Sequence, residues 1–103
     1  MPLSALEART RLNEQVTVEM LVNAAKNCQR CSLMFLDSEE DHHDPNNFAV
    51  AVTDTGRARF KEAEIDDPAG HFNGKTIRVT GKVIIKDEQP QIEVDDPRQI
   101  EVV

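Results

Sequence analysis

The chain has 103 residues, a formal charge of −7 and 39% apolar residues, so it reads as one water-facing domain with a single core that needs no disulfide staples. Aromatic residues are scarce, with four Phe and neither Trp nor Tyr, which limits the flat rings that nucleic-acid and sugar sites use. The excess acid sits in residues 37–73, where ten acidic side chains face three basic ones. A general attraction to phosphate is therefore excluded as a driving force, although a local basic patch is compatible with these numbers.

The start, MPLSALEART, lacks the charged segment and apolar run of a signal peptide, and no stretch approaches the roughly 20 apolar residues of a membrane span. A cytoplasmic protein without membrane contact is expected, an exported form with its signal removed being the alternative. Two cysteines, Cys28 and Cys31, are too few for a disulfide framework.

Ser4-Ala5-Leu6-Glu7 has the spacing of a capping box, with a short helix expected to end near Asn13. From Gln15 the period changes to two: Val16, Val18, Met20 and Val22 alternate with polar residues, which predicts a half-buried first strand. The chain is expected to turn at 27–30. Residues 32–36 form a second strand that is apolar on both faces. Residues 37–47 (DSEEDHHDPNN) read as an acidic loop, and Phe48, Val50 and Val52 mark strand three. Asp54-Thr55-Gly56 is a turn signal, followed by helical pieces over 60–65 and 67–72, the latter with Asp67 as cap and Pro68 in its first turn.

The last thirty residues carry the clearest pattern. Ile77, Val79, Gly81, Val83 and Ile85 share one face; Arg78, Thr80, Lys82, Ile84 and Lys86 share the other. A four-residue turn over 87–90 predicts that Ile85 pairs with Ile92, Val83 with Val94 and Lys82 with Asp95. Asp96-Pro97 breaks the strand, and Ile100 and Val102 form a closing run. The order predicts a mainly β protein, a five-stranded Greek-key barrel (the OB-fold) with a helix between strands three and four. An open sandwich or a differently connected barrel is the alternative.

The runs QVTVE (15–19), FLDS (35–38), FAV (48–50), GKTIRVTGKV (74–83), PQIEV (90–94) and DPRQIEVV (96–103) follow one another in an order that resembles a family of small bacterial OB-fold domains. The family's domains stand alone, are exported, or lie beside nuclease-type domains, and their function is poorly defined. The resemblance covers most of 15–103 and implies an OB domain there, with 1–14 as a helical extension. Two positions depart from the family: Met20 stands where it usually has a strand-bending Gly, and 87–90 lack its turn Gly.

No constellation supports catalysis, because no carboxylate stands by sequence beside a nucleophile in a Gly-rich elbow or phosphate loop. Cys28-x-x-Cys31 is half a zinc site, and His42 or His43 would have to complete it across a strand of roughly 17 Å, which bonds of about 2 Å cannot span. From Asp37 the acidic run lacks the Gly and Glu of an EF-hand loop. Neither metal nor cofactor is expected. The remaining reading is a non-catalytic binding module. An apolar patch centred on Met34 and Leu36, or on Leu33 and Phe35 in the other register, predicts a protein partner or self-association through the strand 2–3 face. The competing arrangement has Leu3, Leu6 and Leu12 of the N-terminal helix cover that patch. Single-stranded nucleic acid is the alternative ligand, met by Lys26 and Arg30 in the first loop and by Arg57, Arg59 and Lys61 after strand three.

Overall fold

The computed structural model describes residues 2–28, 33–41, 44–65, 67–86 and 89–103, with Cys28 described by its backbone alone. The expected turn at 27–30, the Cys28–Cys31 pair, Arg30 and the two histidines thus lie wholly or partly outside the described residues.

The elements in order are α1 (Ala5–Ala8), β1 (Gln15–Leu21), β2 (Ala24–Cys28), β3 (Leu33–Asp37), β4 (Ala49–Val52), α2 (Asp54–Glu62), α3 (Pro68–Phe72), β5 (Thr76–Lys86), β6 (Gln89–Val94), a 3-10 turn (Pro97–Gln99) and β7 (Ile100–Val102). Hydrogen-bonded neighbours run β1-β5-β6-β4-β3-β2, with β7 on β5. All ladders are antiparallel except β4 with β6. The two ends of this path are successive in the chain, separated only by Val22 and Asn23. Among the described residues β1 and β2 do not pair with each other, so the sheet is open there and only the backbone of Val22 and Asn23 crosses the gap.

The first long strand is therefore two. At the bend Val22 N donates to Lys75 O, Asn23 N donates to Asp37 O, and Asn23 Nδ2 donates to Ser38 O at 2.6 Å. An Asn side chain that bonds the neighbouring backbone stabilises the corner that the sequence pattern, lacking a Gly there, left unmarked.

The inward faces of the strands form the core: Val18, Met20, Met34, Leu36, Val50, Val52, Ile77, Val79, Ile92 and Val94 are all buried. Phe60 of α2 meets Phe72 of α3 edge to face, ring centroids 5.7 Å apart, which binds both helices to that core. The Ser4 box is formed, with Glu7 N donating to Ser4 Oγ and Ser4 N to Glu7 Oε1. Its helix stops at Ala8, earlier than expected, and Leu3 bridges to Val18 on β1.

Two expectations change. Asp54-Thr55-Gly56 is the first turn of α2, capped by Thr53, whose hydroxyl accepts from Gly56 N. Gly56 is required there by close approach, since a Cβ would lie 2.4 Å from Val94 O. The hairpin register also differs: Val83 pairs with Ile92 and Lys86 with Gln89. This register leaves two residues between the last paired positions, where a four-residue turn was expected. A slip of two residues keeps every side chain on its own face, so alternation alone cannot detect it. As a result Ile85 stands opposite Pro90 at the barrel end and is 53% exposed. Lys82 and Asp95 are not partners; Asp95 instead accepts from Thr53 Oγ1.

Candidate functional site

The outward face of the sheet across β2, β3, β4, β6 and β5 is built by ladder register in rows. In one row Lys26 stands opposite Phe35, Phe35 opposite Ala51, and Ala51 opposite Glu93. In the next, Ala24, Asp37, Ala49, Gln91 and Ile84 follow one another. Lys82 and Lys86 flank Ile84 on β5 and point outward with it, because side chains alternate along a strand. Four strand spacings of about 4.8 Å make this face about 19 Å wide.

Phe35 is half-buried between Lys26 on β2 and Ala51 on β4, the latter contributing only a methyl group. Leu33, Ala49 and Ala51 beside it are already buried. Lys26 is exposed at one side of the face, and Lys82 and Lys86 are exposed at the other; the two β5 lysines form no ion pair among the described residues. Glu93 is half-buried among them. The Asp37 carboxylate, in the same row, is buried and accepts from Asn47 Nδ2 at 3.2 Å. Gln91 is 4% exposed and its Nε2 has no hydrogen-bond partner; neither has Oε1 of Gln89, two residues earlier on the same face.

The residues expected from the sequence are divided by this geometry. Lys26 joins the face. Met34 and Leu36 do not: both are fully buried on the inward side, and the residues that β3 turns outward are Leu33 and Phe35. The apolar patch proposed for a partner is therefore mostly core. The N-terminal helix does not cover the face either, since Ala8 docks it on the core while Leu6 and Leu12 remain 57% and 42% exposed. Arg57, Arg59 and Lys61 lie on α2 at the end of the barrel. Arg59 is committed to the segment after β6, donating to Asp96 Oδ2 at 3.2 Å and to Asp95 O. Sequence reasoning missed Lys82, Ile84, Lys86, Gln89 and Gln91 because the hairpin's regularity marked it as scaffold. The available signal was one apolar residue, Ile84, between two outward lysines.

Among the described residues no group of three or more His, Cys, Asp or Glu is placed to hold a metal, and no helix is long and apolar enough to cross a membrane. A solvent-open hollow between α2 and α3, lined by Glu64, Ile65, Asp67, Gly70 and His71, lies off the ladder rows.

Seven short strands in one sheet, where a closed five-stranded barrel was expected, with helices between β4 and β5, have the arrangement of an OB-fold left open between β1 and β2. No protein-family model matches the chain, and neither does any curated protein. Solved structures do match in fold. Asparaginyl-tRNA synthetase from Pyrococcus horikoshii superposes with a TM-score of 0.64 at 15% identity over 99% of this chain and 23% of its own. Aspartyl-tRNA synthetase from Entamoeba histolytica gives 0.64 at 15% identity over 100% of this chain and 21% of its own. The hypothetical protein ygiW from E. coli gives 0.59 at 14% identity over 100% and 90%. The chain thus spans about a fifth of the length of these synthetases and nine tenths of ygiW. The likeness is one of fold.

Proposed function

We propose that this chain is a non-catalytic OB-fold module that binds single-stranded nucleic acid across the outward face of β2, β3, β4, β6 and β5. The observation that carries the reading is the half-buried Phe35 between Lys26 and Ala51, with Lys82 and Lys86, which form no ion pair among the described residues, on the far side of the same face. A presented ring stacks on any base for about 1–3 kcal/mol, and lysines at both edges meet the phosphates that flank it. The fold likeness to two tRNA synthetases supports the same class of ligand. The overall charge of −7 argues for weak binding, since only three lysines act against it at close range.

A protein partner on this face is the second reading, favoured by half-buried Ile84 and Phe35 on the same face, three strands apart. Of the two registers of the expected apolar patch, β3 turns Leu33 and Phe35 outward and buries Met34 and Leu36. Fluorescence polarisation with mixed-sequence DNA and RNA oligomers at low salt separates the two. Saturation that weakens steeply with salt is expected; no binding at tens of micromolar overturns the nucleic-acid reading.

A further inference from the structure

The amide of Gln91 is in an unusual position. It lies on the outward face of a strand, yet it is buried and its Nε2 bonds nothing. A buried donor without a partner is destabilising, so a fold that keeps one is expected to have a use for it. The neighbouring Gln89 Oε1 is an unmet acceptor on the same face. Donor and acceptor come from side chains spaced i and i+2, which stand side by side on one face of a strand. Around them are Ala49, which offers no bulk, and Ile84 across the ladder, which is half-buried. Ile84, Gln89 and Glu93 are the outward side chains next to Gln91, and a ligand reaches its amide only where they turn aside.

We infer that Gln91, with Gln89, is the base-reading element of this surface, and that it takes a base whose edge carries an exocyclic amine beside a ring-nitrogen acceptor. This rests on the nucleic-acid reading above. The unmet Nε2 of Gln91 donates to the ring nitrogen and the unmet Oε1 of Gln89 accepts from the amine, the donor–acceptor match that a single glutamine amide makes with adenine, here divided between two side chains. Cytosine has the same amine and ring nitrogen side by side. Thymine has no exocyclic amine and is the disfavoured base. The base read lies beyond the one stacked on Phe35, since Gln91 sits two strands and one outward row away from it. Stacking then supplies affinity without preference, and the glutamines supply the preference.

The test compares oligo-dA, oligo-dC and oligo-dT on the intact chain and on Gln91→Leu, which keeps the side-chain volume and removes the amide. The intact chain is expected to hold oligo-dA or oligo-dC at least about fivefold more tightly than oligo-dT. In Gln91→Leu that spread collapses to less than about twofold, with oligo-dT affinity unchanged. The variant's Tm is equal or higher, because an unmet donor has been removed; a purely structural glutamine would give a lower one. Equal binding of the three oligomers by the intact chain, or a spread that survives in Gln91→Leu, overturns the role of Gln91 while salt-dependent binding leaves the module's function standing. Absence of binding to all three overturns both.

Discussion

Phe35 faces Ala51 directly across the β3–β4 ladder, so the ring lies beside a methyl group where most sheets would place a larger neighbour. That pairing leaves the ring only partly buried, and under the proposed nucleic-acid reading Phe35 is the stacking residue of the outward face. Phe35→Ala is expected to lower single-strand affinity by about tenfold, the loss of one stacked base. Because the ring is half-exposed, the Tm of the variant stays within a few degrees of the parent. A polarisation titration paired with thermal melting checks both; a large fall in Tm with unchanged affinity would reverse the assignment.

The lysines contribute in a different way. Under the proposed nucleic-acid reading the exposed residues Lys26, Lys82 and Lys86 meet phosphates and release counterions, so the slope of log K against log salt should be about −2, that is, about −0.7 per contact. Replacing Lys82 and Lys86 together by Gln should bring the slope to about −0.7 and leave the preference among bases unaltered. Lys61→Gln on α2, away from the ladder rows, should leave the slope unchanged.

The fold was legible in the sequence where a single face is buried. Alternation in 15–22 and 76–86 and the Ser4–Glu7 box are all realised, because burial on one side leaves a strand one choice of face. What the pattern could not express was a two-residue slip of the hairpin, since both registers bury the same faces. Nor could it orient β3, whose residues are apolar at every position from Leu33 to Leu36; only the neighbouring strands decide that Met34 goes in and Phe35 out. The site was less legible still. It is assembled from outward residues of five strands, and its members on β5 and β6 look in sequence like ordinary polar surface.

The inward orientation of Met34 has a direct consequence. Met34 stands between Asn27 and Val52 in its row and is fully buried, so Met34→Asp introduces a charge into the core. A loss of several kcal/mol is expected, enough to unfold a domain of this size. Circular dichroism should show loss of the cooperative melt at ambient temperature. A folded variant with an altered oligomeric state would instead restore the patch as an interface.

The division of one edge of β5 between β6 and β7 depends on Gln99. Residues 77–79 pair with β7 and residues 83–86 pair with β6, leaving Gly81 at the fork. Gln99 Nε2 bridges the fork by donating to Thr80 O at 3.1 Å and to Glu93 O at 3.2 Å, while its Oε1 accepts from Asp95 N at 2.9 Å. Gln99→Leu leaves these backbone groups unmet and should cost about 1–3 kcal/mol. Gly81→Ala acts on the same junction by overpacking, since its Cβ would stand 2.6 Å from Ile92 Cγ2. A loss of about 1–3 kcal/mol is expected there too. As both variants disturb one junction, their double mutant should fall short of the sum, which urea melts on the four proteins will measure.

The same terminal segment sets an acid limit. Hydrogen bonds from the Arg98 side chain and from Arg98 N hold the Asp96 carboxyl at a pKa of about 2, well below its ordinary value. A depressed carboxyl stabilises the fold fully above the unfolded pKa of about 3.9 and loses that contribution as pH falls through the folded value. The junction after β6 should therefore hold down to about pH 4 and weaken between that and about pH 2. Asp96→Asn removes the titration, so its stability between pH 5 and pH 2 should decline less steeply than the parent's. The comparison is made from melts at matched ionic strength; parallel declines would show that Asp96 is not protonated in this range.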